Sequence, residues 1–328
     1  MTASTLLPVR IAGTASLAPG PAVSTAELVA RLPDGGRPAS EVEARTGIAW
    51  RHFSEPESQA AALGAAVLAQ ALETAAVPAN ALERLIFVTS FGGDALVPAT
   101  ANFVAAALGL RGTCDCFDLN NACMGFLSAL DVAARGVATG QGPIGIIVAE
   151  LPTRFITPED PRPYLVFGDG VAAAVITGAQ NDEGILASFL RNDPEFGHEV
   201  TLAHPGLTGR RETIRFASSK GRITEVALQL IRESADIVLS RAGIGVRDVE
   251  WVVPHQPNGS MLESIIEGLC LDRQRLVPLV HETGSLGAAS IPFGLDRLLR
   301  SGRVRRGDRI LMLGVGAGAS RGATLLRV

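Results

Sequence analysis

Three segments far apart in the chain carry residue types that together could move an acyl group. Cys123 stands in Asp118-Leu-Asn-Asn-Ala-Cys123-Met-Gly-Phe-Leu-Ser-Ala-Leu130. A cysteine thiolate is a strong nucleophile, and the positive end of a helix favours it. His255 stands in Trp251-Val-Val-Pro-His255-Gln-Pro-Asn258, and Ser285 in His281-Glu-Thr-Gly-Ser285-Leu-Gly-Ala-Ala-Ser290-Ile-Pro. A cysteine with an imidazole neighbour supports acyl transfer through a thioester. The glycine turn Gly314-Val-Gly-Ala-Gly-Ala-Ser320 offers backbone N–H groups of the kind an oxyanion hole needs. Taken alone, Cys123 also reads as a buried structural thiol, where most free cysteines go.

The elements around these residues must bring them together. Thr113 to Leu119 reads as a strand and Ala122 to Val137 as a helix apolar on every face, hence buried. Asn120 and Asn121 are placed to cap its first N–H groups. Before them come a strand at Val9 to Ser16, a short helix at Ser24 to Leu32 and a basic, turn-rich patch at Glu41 to His52. A long alanine-rich helix at Gln59 to Ala76, a strand at Leu85 to Ser90 and a helix at Thr100 to Leu108 follow. Strands at Ile144 to Glu150 and Val171 to Thr177 close this half. The second half replays the order: a helix at Thr224 to Ala242, a strand at Trp251 to His255 and a helix at Met261 to Cys270. Then come a strand at Gln274 to Val280, a buried helix at Ala288 to Ser301, and strands at Arg309 to Gly314 and Ala323 to Val328. A repeat at about half the chain predicts two copies of one α/β unit, residues 1–178 with the cysteine and residues 179–328 with the histidine and the glycine turn. Packed together, the copies place matching loops around one cleft. His255 then sits at a strand's carboxyl end, where α/β sites occur, and the Ser285 turn is the symmetry mate of the Cys123 turn.

Composition narrows the classes. The 328 residues are 47% hydrophobic and 5% aromatic with a formal net charge of -4, which suits a packed α/β protein and not a nucleic-acid partner. No stretch reaches membrane-spanning length, and Met1 to Ala12 lacks the pattern of a signal peptide. The expected compartment is the cytoplasm, with Cys114, Cys116, Cys123 and Cys270 reduced. Cys114 and Cys116 lack the C-x-x-C spacing and second ligand pair of a zinc site, so no metal is expected and core packing explains them better. The run Gly314 to Ser320 invites a dinucleotide reading, but only ten residues follow Gly318, too few for the helix, strand and ribose-binding acid that motif requires.

Taken together, Asn121-Ala-Cys-Met-Gly-Phe, Phe167-Gly-Asp-Gly, Pro254-His-Gln-Pro-Asn, Gly284-Ser-Leu-Gly-Ala-Ala-Ser-Ile-Pro and Gly314-Val-Gly-Ala-Gly resemble β-ketoacyl-ACP synthase III, across nearly the whole chain and in the same order. The resemblance implies a thiolase-like α/β fold, two repeated halves in a five-layered αβαβα sandwich, and a homodimer. It implies that Cys123 takes an acyl group from the pantetheine thioester of CoA or an acyl carrier protein, that His255 assists the next step, and that the N–H groups of Cys123 and Ala317 hold the oxyanion. No cofactor beyond that thioester substrate is implied. Arg45 and Arg154 match positions near the pantetheine tunnel, with Asn258 of the histidine turn as a further substrate contact.

The departures set the finer expectation. The catalytic asparagine of condensing members falls on Ser285, whose single hydroxyl is a poorer donor to an enolate, and one lost donor of this kind typically costs about 10²–10³ in rate. The aromatic residue that many members stack on adenine falls near Glu41, and an arginine used after the histidine turn falls on Ser260. Relatives in polyketide and antibiotic pathways transfer acyl groups without condensing, and His198 lies where some of these atypical members place an extra histidine. The leading expectation is ping-pong acyl transfer through Cys123 to a hydroxyl or carrier-protein thiol, with His255 and His198 as bases. Decarboxylative condensation with malonyl-ACP is the alternative, and a silent subunit of a heterodimer the second. A thiolase is disfavoured, since Gly314 to Gly322 contains no second catalytic cysteine.

Overall fold

The computed structural model describes residues 7–210, 212–217 and 220–328. Met1 to Leu6, part of the N-terminal stretch read above, lie outside the described residues. The first half contributes β1 (Val9–Leu17), the hairpin partners β2 (Ala22–Ser24) and β3 (Trp50–His52), then β4 (Arg84–Val88), β5 (Asp115–Leu119), β6 (Ile144–Glu150) and β7 (Gly170–Gly178). The second contributes β8 (Gly184–Asn192), the pair β9 (Val200–Thr201) and β10 (Arg215–Phe216), then β11 (Trp251–Pro254), β12 (Arg309–Gly316) and β13 (Ser320–Arg327).

One sheet runs β1-β7-β6-β4-β5 and the other β8-β13-β12-β11. Strand sense matches as well as order: β7 is antiparallel to both neighbours, as is β13, while β4 with β6 and β11 with β12 are parallel. Side chains alternate faces at period two. Ile86, Val88, Ile146 and Val148 face a central core that also holds Ile310 and Met312 of the second sheet. Leu85, Phe87, Ile147 and Ala149 face the helix Ala60–Ala75 on the outside. Leu311 and Leu313 face the outer helices Lys220–Ala242 and Gly259–Gly268. The helices Gly125–Ala138 and Ser290–Arg300 fill the space between the sheets. The result is the αβαβα sandwich of a thiolase-like fold.

Three local expectations are corrected. The segment Gln274 to Val280 is not a strand. It makes a tight turn at Arg273–Arg275, one parallel bridge from Leu276 to Val252, and a helical turn at Val280–Thr283. Pro278 has no N–H for a ladder. The Gln256 side chain takes the neighbouring groups instead: its oxygen accepts from Leu279 N–H and Val280 N–H at 2.8 and 3.2 Å, and its nitrogen donates to the Val277 carbonyl at 2.8 Å. The Glu41 to His52 patch begins in a helix, Ala39–Thr46, ended by Gly47 at a left-handed φ of 67°, and finishes in β3. The helix after Cys123 is apolar on every face only in its first two turns. Farther on, Val132 is exposed and Arg135 pairs with Asp131 at 2.7 Å.

Gln256 is buried, so Gln256→Leu strands three backbone groups at once. The expected loss is roughly 3 kcal/mol or more in urea unfolding. A loss under about 1 kcal/mol would show that these groups find other partners.

Candidate active site

Cys123, His255 and Ser285 line one cavity of about 670 Å³, together with Gly316, Ala317 and Asn258. Each arrives on a different element. Cys123 lies on a tight turn, Ala122–Met124, between β5 and the helix Gly125–Ala138. Ala122 has a left-handed φ of 45°, a strained conformation for alanine. Asn120 supports it by accepting the Ala122 N–H at 3.0 Å. Asn121 does not cap the helix; its amide donates to Ser128 Oγ at 2.8 Å, and its oxygen accepts from Ser320 Oγ at 2.7 Å. Asn192 then donates to Ser320 at 2.6 Å. This chain of hydrogen bonds ties the cysteine turn to the start of β13.

The glycine turn after β12 reaches the same point. A Cβ on Gly316 would lie 2.9 Å from the Cys123 nitrogen and 3.1 Å from its Cβ, so only glycine lets the two backbones touch. Gly314 is similarly pressed, with a hypothetical Cβ 2.8 Å from that of His255. The backbone N–H groups of Ala317 and Cys123 both act on the thiol sulfur. His255 follows β11, its N–H held by the Leu313 carbonyl at 2.8 Å, and the next residue's N–H donates to Ser290 Oγ at 3.0 Å. His255 is buried, and its Nδ1 has no hydrogen-bond partner among the described residues. Ser285 is buried too, bonded through its backbone to Val166 and Gly168. The Ser285 turn mirrors the cysteine turn: Gly287, at φ 53°, stands where Ala122 stands, and Ala288 where Cys123 stands.

Burial dominates the electrostatics. Enclosure of the sulfur, and then the negative charge of Glu150, push the Cys123 thiol up to about 12, against the pull of the two N–H groups. The helix-start effect expected from sequence is outweighed. Glu150, fully buried at the end of β6, is itself pushed up to about 8 by burial. It accepts from Ser90 Oγ at 2.6 Å and Ser90 N–H at 3.1 Å. His255 is pushed down to about 4 by burial, so its imidazole is neutral at pH 7.

Several expected residues fall elsewhere. Arg154 does not line the cavity. It pairs with Asp94 at 3.7 Å and donates to the Ser58 carbonyl, bracing the carboxylate that caps Ala60 and Ala61 at 2.8 Å each. Arg162, eight residues on, lines it instead, as do Arg37 and Arg45, and the Arg162 guanidinium lies over Phe216 at 4.2 Å. His198 is exposed and does not line the cavity, although Phe196 and Glu199 beside it do. Arg45 lines it at the mouth, near Glu41. Asn258 lines it while its oxygen caps the Met261 N–H at 2.9 Å. Asp169 of Phe167-Gly-Asp-Gly accepts from Ser54 and Thr153, so it fastens loops and leaves Phe167 to the cavity. Cys114 and Cys116 lie side by side on the outer core, Sγ to Sγ 3.5 Å. Among the described residues no three His, Cys, Asp or Glu side chains cluster as a metal site, and no helix is long and apolar enough to cross a membrane.

Iodoacetamide should report this balance. Below about pH 8 Glu150 holds its proton, so wild type and Glu150→Gln should alkylate at similar, slow rates. Above that pH the ionised carboxylate opposes the thiolate, and the variant should react faster. Equal rates at every pH would remove Glu150 from control of the thiol.

Comparison with known proteins agrees with this geometry. The family described as 3-Oxoacyl-[acyl-carrier-protein (ACP)] synthase III matches residues 117–194, and its C-terminal counterpart matches residues 239–328. A β-ketoacyl-[acyl-carrier-protein] synthase III of Methylococcus capsulatus is 32% identical over 323 residues, 97% of this chain and 98% of that protein. The crystal structure of a 3-oxoacyl-[acyl-carrier-protein] synthase III from Aquifex aeolicus superposes with a TM-score of 0.89 at 29% identity, covering 98% of this chain and 100% of that one. The priming β-ketosynthase of the R1128 polyketide pathway also gives 0.89, at 28% identity, over 97% of this chain and 95% of its own. Two halves of one fold, a cysteine and a histidine on a shared cavity and near-complete coverage by such relatives lead to one conclusion: this chain belongs to the β-ketoacyl-ACP synthase III family.

Proposed function

We propose that this protein transfers an acyl group from an acyl carrier protein, or from CoA, through a Cys123 thioester to a hydroxyl or a carrier-protein thiol. Neutral His255 takes the Cys123 proton as sulfur attacks the thioester carbonyl. The oxyanion rests on the N–H groups of Cys123 and Ala317, and the pantetheine thiol leaves with the proton. An acceptor hydroxyl or thiol then gives its proton to His255, attacks the acyl carbon and releases the Cys123 thiol with that proton. No further cofactor enters.

The observation that carries this reading is the composition of the site wall. Cys123, His255 and Ala317 line it, while Ser285 stands where condensing relatives use asparagine. The steps above need the first three. Decarboxylation needs a second strong donor to an enolate, for which a serine hydroxyl is a weaker substitute. Condensation with malonyl-ACP is the second reading, supported by the names of the Methylococcus and Aquifex relatives. At the mouth, Glu41 lies 2.5 Å from Arg37 and 3.8 Å from Arg45. An ion-paired carboxylate near the position where relatives stack an aromatic residue on adenine supports a carrier protein over CoA. The edge strand β5 and the exposed Leu96 and Val97 support a homodimer, and the reaction suits a cytoplasmic enzyme.

Intact-mass analysis tests the two readings. Acyl-ACP should load wild type and leave Cys123→Ala unmodified; a loaded variant removes Cys123 as nucleophile. His255→Ala should slow the discharge of the acyl-enzyme by about 10²-fold or more. The loaded enzyme should stay intact with malonyl-ACP and discharge to an alcohol or second carrier. A β-ketoacyl product with loss of CO₂ from wild type would make it a condensing enzyme.

A further inference from the structure

The cysteine turn and the glycine turn each hold an alanine in the left-handed region. Ala122, at φ 45°, precedes Cys123, and Ala319, at φ 44°, follows Ala317 by two residues. A non-glycine residue stays there only where its surroundings hold it. The neighbour of each strained alanine reaches for the other turn: Ser320 Oγ donates to Asn121 Oδ1 at 2.7 Å. Among the described residues this is the one hydrogen bond between the two turns that does not involve the Cys123 sulfur. Both partners are braced from behind. Asn192, opposite Ser320 in the β8–β13 register, donates its amide to Ser320 Oγ at 2.6 Å, which leaves the hydroxyl hydrogen for Asn121. The Asn121 amide donates to Ser128 Oγ at 2.8 Å, in the first turn of the helix Gly125–Ala138. Ser320 is buried, and Asp193 N–H steadies the glycine turn by donating to the Ala319 carbonyl at 3.2 Å. A connected chain thus runs from the sheet of the second half to the central helix of the first.

The backbone contact at Gly316 sets how near the two turns can come. It does not set how far apart they can drift. A hydrogen bond across them does, because it fails within a few tenths of an ångström of its optimum. We propose that Asn121 and Ser320 are positioning residues that fix the separation of the Cys123 and Ala317 N–H groups, and so their fit to the oxyanion of acyl transfer. This deepens the acyl-transfer reading and rests on it for the oxyanion. Neither residue lines the cavity, so neither contributes to holding the substrate. Donors aimed at developing charge stabilise it most when they need not rearrange, and a misplacement of about 1 Å can cost about 10²-fold in rate.

The test is single-turnover loading of Cys123, followed by intact mass, from straight-chain acyl groups on an acyl carrier protein. Ser320→Ala and Asn121→Ala should each lower the loading rate at saturation about tenfold or more, with the half-saturating concentration within about twofold of wild type. The double variant should be no slower than the slower single one, since both break the same bond. Ser320→Thr, which keeps the hydroxyl, should load within about threefold of wild type. A pair with a merely structural role would lower the melting temperature and leave both kinetic parameters of the folded protein unchanged. Wild-type rates in both alanine variants, a loss of affinity in place of rate, additive losses in the double variant, or Ser320→Thr as slow as Ser320→Ala overturns the proposal. Should the alanine variants not fold, Asn192→Ala decides: a slower rate at unchanged half-saturation supports the proposal, and an unchanged rate overturns it. No loading of wild type by any acyl group overturns acyl transfer and this role with it, whereas wild-type loading with indifferent variants overturns this role alone.

Discussion

A side chain at Gly316 would run into the Cys123 backbone, so two main chains from opposite halves of the protein meet there without side chains between them. Much of the site follows from that contact. It lets the Ala317 N–H reach the sulfur from one half while the Cys123 N–H reaches it from the other. It requires a glycine at the end of β12, and it goes with the left-handed φ of Ala122 that delivers the cysteine. Gly125, whose Cβ would lie 2.5 Å from Val88 Cγ1, lets the following helix sit flat on the sheet. The cleft is therefore a product of packing between halves, and neither sheet holds it alone.

The two-fold repeat arranges this meeting. Equivalent turns, at Cys123 and at Ala288, pack against each other in the central layer, with Glu150 beside both. Its carboxyl group takes hydrogen bonds from Ser90 and from the Ala288 backbone and lies 3.4 Å from where a Gly287 Cβ would be. One turn carries a cysteine and the other an alanine. Two copies of a fold thus line a single cavity, with His255 and Ala317 drawn from the half opposite Cys123.

Most of the framework was legible in the sequence because the sheet strands are buried on both faces. Ile144 to Glu150 is one unbroken buried run, and its residues could belong to little else. The strand expected at Gln274 to Val280 failed because its groups answer to a side chain eighteen or more residues away, Gln256, which no local pattern announces. Cys123, His255, Ser285 and Ala317 were readable from turn chemistry and from the family's motifs. Arg154 was not separable from Arg162, since both lie in one proline-rich loop whose path, not its composition, decides which guanidinium enters the cavity. The thiol's acidity was misjudged for a related reason: a helix start is visible in a sequence, and the depth of enclosure is not.

That enclosure also bears on survival in an oxidising cell. Peroxide attacks the thiolate, and the first product, a sulfenic acid, opens the way to irreversible sulfinic and sulfonic acids. A Cys123 held protonated at rest presents little thiolate to that chemistry. In the proposed cycle the thiolate forms as a thioester is attacked and is at once acylated, so little of it meets peroxide. By this logic the resting enzyme is shielded by the proton on Cys123 and the loaded enzyme by the acyl group.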